Sequence, residues 1–188
     1  MKKVLSIAVL CAGFLSAYAI DSFRVDLRGV KDVTLANITL SEGMAIALQT
    51  PKKVTEGITK AYIYSDSKKL TDKYQKFTIS FVPEEDGRVG LHFHTPGSKD
   101  RSSIIPVIID DVQITGAKFK NGGFETVNGD RPAGWSIGKG AKFITDKTQA
   151  AEGNNCMQIF YGNGIAGQNL HVTADDKVTI TFQARLAK

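Results

Sequence analysis

The chain has 188 residues, 24 Lys and Arg against 19 Asp and Glu, a formal charge of +5 and two cysteines. That length suits one domain of ordinary size with a real core, and charges of both signs alternate with no basic tract longer than a lysine pair, which argues against a nucleic-acid surface. Beyond the first residues no apolar run approaches membrane-spanning length, so no membrane insertion is expected.

The N-terminus reads as a secretory signal peptide over 1–19. Lys2 and Lys3 form a positive start, Val4 to Ala17 is apolar apart from serine and glycine, and Ala17-Tyr18-Ala19 is a small-x-small cleavage site. Cys11 is not a lipid-attachment cysteine on this reading, because Leu10 precedes it where a small residue is expected. Cleavage after Ala19 leaves 169 of the 188 residues and removes two lysines and no acid, so the charge falls from +5 to +3. The mature chain is expected to be secreted or periplasmic. It keeps one cysteine, Cys156, which cannot form an internal disulfide. "NNCMQIFYG" around it reads as a strand rather than a nucleophile's turn.

Residues 20–57 carry no motif, although "FRVDLRG" and "GMAIALQT" look like strands. Alternation then takes over. "TKAYIYSD" sets Ala61 and Ile63 against Tyr62 and Tyr64, and "KFTISFV" sets Phe77, Ile79 and Phe81 against Lys76, Thr78 and Ser80. "VGLHFH" opposes Val89, Leu91 and Phe93 to Gly90, His92 and His94; "KVTITFQARLA" opposes Val178, Ile180, Phe182, Ala184 and Leu186 to Thr179, Thr181, Gln183 and Arg185. A period of two with one apolar face marks antiparallel strands over a core, and Gly, Asp and Asn between them supply turns. An all-β antiparallel sandwich or jelly roll is the expected fold.

Enzyme chemistry finds little footing. His92 and His94 share a face, but a cupin-like His-x-His needs a glycine six residues earlier, where Asp86 stands, and a Glu past the second His, where Ser98 and Lys99 stand. Two histidines alone make no metal site. Glu84, Glu85 and Asp86 are the densest acidic cluster, yet Pro83 and Gly87 place them in an exposed turn. No nucleophile elbow or phosphate loop is present. The expectation is a protein that is not an enzyme.

A resemblance adds to this reading. "NGGFETVNGDRPAGW", "AAEGNNCMQI", "GQNLHV" and "DKVTITFQAR" are similar to the N-terminal half of carbohydrate-binding modules of families 4 and 9, which are galactose-binding-like jelly rolls. "TDKYQKFTISFVPEEDGRVGLHFHTPG" and "VIIDDVQITG" resemble the C-terminal half, with Tyr74 where Trp is common. The closing half precedes the opening half. Either 20–188 is one sandwich with permuted halves, joined by a short hairpin-like link over Ala117 to Asn121, or 20–117 is a small module and 121–188 part of a second.

The resemblance implies carbohydrate binding, to a polysaccharide or surface glycan. If their strands share a sheet, Tyr62, Tyr64, His92, His94, Gln183 and Arg185 would form one outer face suited to a polyol, the rings stacking and the polar groups bonding hydroxyls; the alternative is unrelated residues on scattered faces. Trp135 and Phe124 read as core. The resemblance also implies a structural calcium where the opening and closing strands meet, held by Glu125 and by Asp110 or Asp111; turn-capping carboxylates are the alternative. The runner-up function is a structural or adhesive surface protein that holds a protein partner. The oligomeric state is left open, since an uncovered edge strand could pair with a second copy.

Overall fold

Alternation of the kind seen in "KFTISFV" leaves every second side chain to be covered, and the chain covers them by laying two antiparallel sheets face to face. The computed structural model describes residues 21–31, 33–47, 57–66, 69–96, 103–160 and 166–187. The expected signal peptide, 1–19, lies outside them. Fifteen strands follow in chain order: β1 (Arg24–Val30), β2 (Leu35–Leu40), β3 (Met44–Ile46), β4 (Lys60–Ser65), β5 (Gln75–Pro83), β6 (Gly87–His94), β7 (Val107–Thr115), β8 (Ala117–Lys118), β9 (Val127–Asn128), β10 (Arg131–Pro132), β11 (Ser136–Ile137), β12 (Ala141–Ile144), β13 (Cys156–Ile159), β14 (Ala166–Val172) and β15 (Val178–Leu186).

The first sheet runs β3-β4-β1-β6-β14-β11, with β8 also beside β14; the second runs β2-β5-β15-β7-β13-β12. β9 and β10 form a small separate ribbon. The fold is therefore an all-β antiparallel sandwich, as the alternation predicts. Val25, Leu27, Ile63, Leu91, Phe93 and Leu170 of the first sheet meet Phe77, Ile79, Ile109, Met157, Ile180 and Phe182 of the second in one core. Phe23 is set edge-on to Phe77 and Phe182, with ring centroids 4.9 and 5.3 Å apart.

The link at Ala117 is not the hairpin that its length suggests. β7 belongs to the second sheet and β8 to the first, so Gly116 turns the chain across the edge of the sandwich. Strands from before and after the link then interleave: β14 lies beside β6, and β15 sits between β7 and β5.

The "NGGFE" stretch packs this corner. Asn121 donates its amide to the carbonyls of Thr126 (2.8 Å) and Ala133 (2.9 Å) and accepts from the N–H of Thr126. Trp135 is buried against Phe124 and Phe119 and donates its indole N–H to the Asn121 carbonyl at 2.8 Å. Trp135 and Phe124 are core, as read from the sequence. Among the described residues no helix is long and apolar enough to cross a membrane.

Candidate ligand-binding face

β1 lies in the middle of the first sheet, with Val25 and Leu27 pointing inward and fully buried. The same alternation forces Arg24, Asp26 and Arg28 outward. Register then dictates their neighbours. Arg24 lies between Tyr64 of β4 and His94 of β6, Asp26 between Tyr62 and His92, and Arg28 between Lys60 and Gly90. The outer face so carries Tyr62, Tyr64, His92 and His94 together, and the sequence had already placed each of these opposite an apolar set.

Asp26 is the hub. Its carboxylate is fully buried, with Arg24 Nε 2.7 Å from Oδ1, and Arg28 Nη2 2.5 Å and His94 Nε2 3.3 Å from Oδ2. Burial alone would raise the Asp26 pKa, but the close approach of His94, the hydrogen bond from Arg28 and the neighbouring positive charges outweigh it and hold it at about 2. The cluster keeps the two arginines in place while leaving their side chains 22% and 40% exposed. Arg24 and Lys60 both approach the Tyr62 ring, at 5.3 and 5.2 Å from its centroid.

His92 lies over a floor of glycine. A Cβ at Gly167 would come within 2.3 Å of its Cδ2, and one at Gly90 within 2.8 Å of its Cε1. Any side chain at those positions would push the ring off the sheet. Burial lowers the His92 pKa, and the charges of Arg28 and His94 lower it further, so its imidazole is neutral at physiological pH. Its Nδ1, and that of His94, are buried without a hydrogen-bond partner.

Chemically the face offers two half-buried phenol rings, two guanidinium groups held in register and imidazole nitrogens with spare capacity. Rings and fixed donors of this kind suit recognition of a hydroxylated ligand.

Gln183 and Arg185 do not join it. They lie on β15, in the opposite sheet, so their outward faces point away from the other four residues. Both are engaged there. Gln183 donates to Asp111 Oδ2 at 3.3 Å. Arg185 lies over the Tyr74 ring and donates to the Gln149 carbonyl at 3.2 Å, which Tyr74 also contacts through its hydroxyl at 2.5 Å. The sequence shows which face of a strand is polar but not which sheet the strand enters.

The three proposed calcium ligands do not converge either. Asp110 is buried and accepts the N–H groups of Asp111, Ala151 and Glu152. Burial pushes its carboxyl up to about 6 against those three bonds. Glu125 accepts from the N–H of Asn154 and Asn155 and from the Asn155 amide. A bulge opposite Thr181 and Gln183, with Asp111 at φ 47°, turns Asp111 toward the side chains of Gln113 and Gln183. Asp110 and Glu125 thus hold the 151–155 loop through its N–H groups, the turn-capping role, and the set does not fit one calcium. Among the described residues no group of three or more His, Cys, Asp or Glu side chains could hold a metal ion.

The remaining candidates fall into place. Glu85 and Asp86 lie in an exposed turn and accept from the N–H groups of Thr34 and Ala174. Cys156 is buried on the outer side of the second sheet beside Ile108 and Ile144, and burial, reinforced by Asp110, pushes its thiol up to about 12. The thiol stays protonated, the opposite of what a nucleophile requires.

No family model, curated protein or solved structure matches this chain.

The sequence reading passed over Arg24, Asp26 and Arg28. Their signal was available: in "FRVDLRG" charges of sign plus, minus, plus fall on the positions opposite Val25 and Leu27. An acid flanked at two-residue spacing by two arginines on one strand face is a paired cluster that keeps one positive charge in excess.

Proposed function

We propose that this protein is a non-catalytic carbohydrate-binding protein that works outside the cytoplasm, and that its ligand lies on the outer face of the first sheet. The observation that carries the reading is the placement of Tyr62 and Tyr64 on one strand face beside the Asp26 cluster, where fixed arginines flank the rings. Aromatic rings supply the apolar contact that a pyranose ring needs, and the held guanidinium groups donate to its hydroxyls without a large ordering cost. The export reading rests on Lys2, Lys3, the apolar run from Val4 to Ala17 and the Ala17-Tyr18-Ala19 site.

A glycan array on the purified mature chain identifies the ligand, and calorimetry then tests the face. Tyr62→Ala and Tyr64→Ala are each expected to weaken binding by about 1 kcal/mol or more while the melting temperature stays nearly unchanged. Wild-type affinity in both variants would remove the ligand from this face.

A further inference from the structure

The outer face of the first sheet is unbalanced in charge. Among the described strand residues that point outward there, Arg24, Arg28, Lys60, Arg88 and Lys118 are basic, and Asp26 is the one acid, a balance of five minus one, +4. All three histidines of the chain, His92, His94 and His171, point out from the same sheet. The outer face of the second sheet carries Lys76, Lys142 and Arg185 against Asp110 and Asp111, three minus two, +1.

Register makes the imbalance costly. Lys118 pairs with His171, and His171 with Arg88, so the His171 ring stands between two cations on neighbouring strands. Lys60 stands across from Arg28. Strands are about 4.8 Å apart, and like charges at that separation oppose folding. Asp26 cannot compensate, because Arg24, Arg28 and His94 already occupy its oxygens. Asp86, in the turn beside Lys118 and His171, accepts the N–H of Ala174 on one oxygen and borders only one end of the row.

The row also borders a concavity. A groove of about 580 Å³ beside β14 is lined by Lys118, Phe119, Lys120, Gln168, Asn169 and His171. It adds the Phe119 ring and one further cation, Lys120, to those on the open face.

We infer that the ligand is an acidic polysaccharide, carrying carboxylate or sulfate groups, that crosses the face from Tyr62 and Tyr64 to the Lys118–His171–Arg88 row and the groove. This inference rests on the reading of the face as a carbohydrate site. Anionic groups along the polymer neutralise the row, and the sugar rings meet the tyrosines. A long chain spans both, which a single small anion does not.

The test is calorimetry of the full mature chain with polygalacturonate, its methyl-esterified form, a sulfated galactan, a neutral glucan and polyphosphate. Polygalacturonate or a sulfated galactan should bind, with affinity that falls as salt is raised. Methyl esterification should abolish most of that binding. Arg88→Gln with Lys118→Gln should weaken it about tenfold without lowering the melting temperature, and Tyr64→Ala should weaken it as well. Salt-insensitive binding of the neutral glucan that survives Arg88→Gln and Lys118→Gln would overturn the acidic ligand and leave the carbohydrate reading standing. Binding of polyphosphate as tight as that of the polysaccharide and indifferent to Tyr64→Ala would overturn it too, by showing a surface that selects charge alone. Absence of binding to every glycan would overturn both.

Discussion

Two buried aspartates illustrate how environment rather than residue type decides a role. Asp26 is surrounded by cations and its pKa is held at about 2, whereas Asp110 has only backbone N–H donors and is raised to about 6. For Asp26 the sign follows from the lowered value. Its stabilisation is complete above the unfolded pKa of about 3.9 and is lost as pH falls through about 2. Asp26→Asn is expected to cost about 2 kcal/mol at neutral pH, less than a fully buried pair, because both arginines can reach solvent. Denaturant midpoints of the variant and wild type should converge as the pH is taken below about 2, where the wild-type carboxylate is protonated as well. A gap that persists unchanged into acid would show that Asp26 acts by packing and not by charge.

At the scale of elements, the corner between β7 and β11 holds the two sheets in register. Val112 donates its N–H to the Gly122 carbonyl at 3.1 Å, and the chains pass so closely that a Cβ at Gly122 would lie 1.6 Å from the Val112 carbonyl oxygen. The contact is with backbone, which cannot swing aside as the His92 ring over Gly167 can. Gly122→Ala should therefore lower stability by about 2–3 kcal/mol, read as a drop in melting temperature. Gly167→Ala is the contrasting case, since the clash there is with the movable His92 ring. The motif residues of the "NGGFE" stretch are legible in these contacts: Asn121 organises its own loop, Gly122 admits β7, Phe124 fills the core and Glu125 ties down 154–155.

For the whole molecule, the interleaving of strands bears on whether the chain has one cooperative unit. A chain ending at Ala117 would lack β14, which flanks β6, and β15, which separates β7 from β5. It would leave Phe77, Ile79, Phe93 and Ile109 without the side chains of Leu170, Ile180 and Phe182. Such a fragment is expected to lose cooperative melting and to bind a hydrophobic dye, since three interior strands, β13, β14 and β15, and their share of the core are gone. A monomeric fragment that melts as sharply as the full chain would restore the two-module reading.

The sequence by itself determined that this protein is all β, which residues of each long strand face the core, and that Tyr62, Tyr64, His92 and His94 face away from it. These properties follow from a period of two, and a local repeat needs no knowledge of partners. It also placed Trp135 and Phe124 inside and Glu85 and Asp86 in a turn, from residue type and local punctuation. What it could not decide was adjacency. Gln183 and Arg185 have the same outward pattern as His92 and His94, yet β15 pairs with β5 and β7 while β6 pairs with β1 and β14. The short link at Ala117 reads as a hairpin and instead changes sheets, and Asp111 turns to the outer side because a bulge breaks the parity of β7. Strand pairing is settled by contacts between residues far apart in the chain, where core packing and register outweigh local preference. Only the folded sandwich could bring Asp26 between two arginines and two histidines, and so turn six scattered polar positions into one face and its reverse.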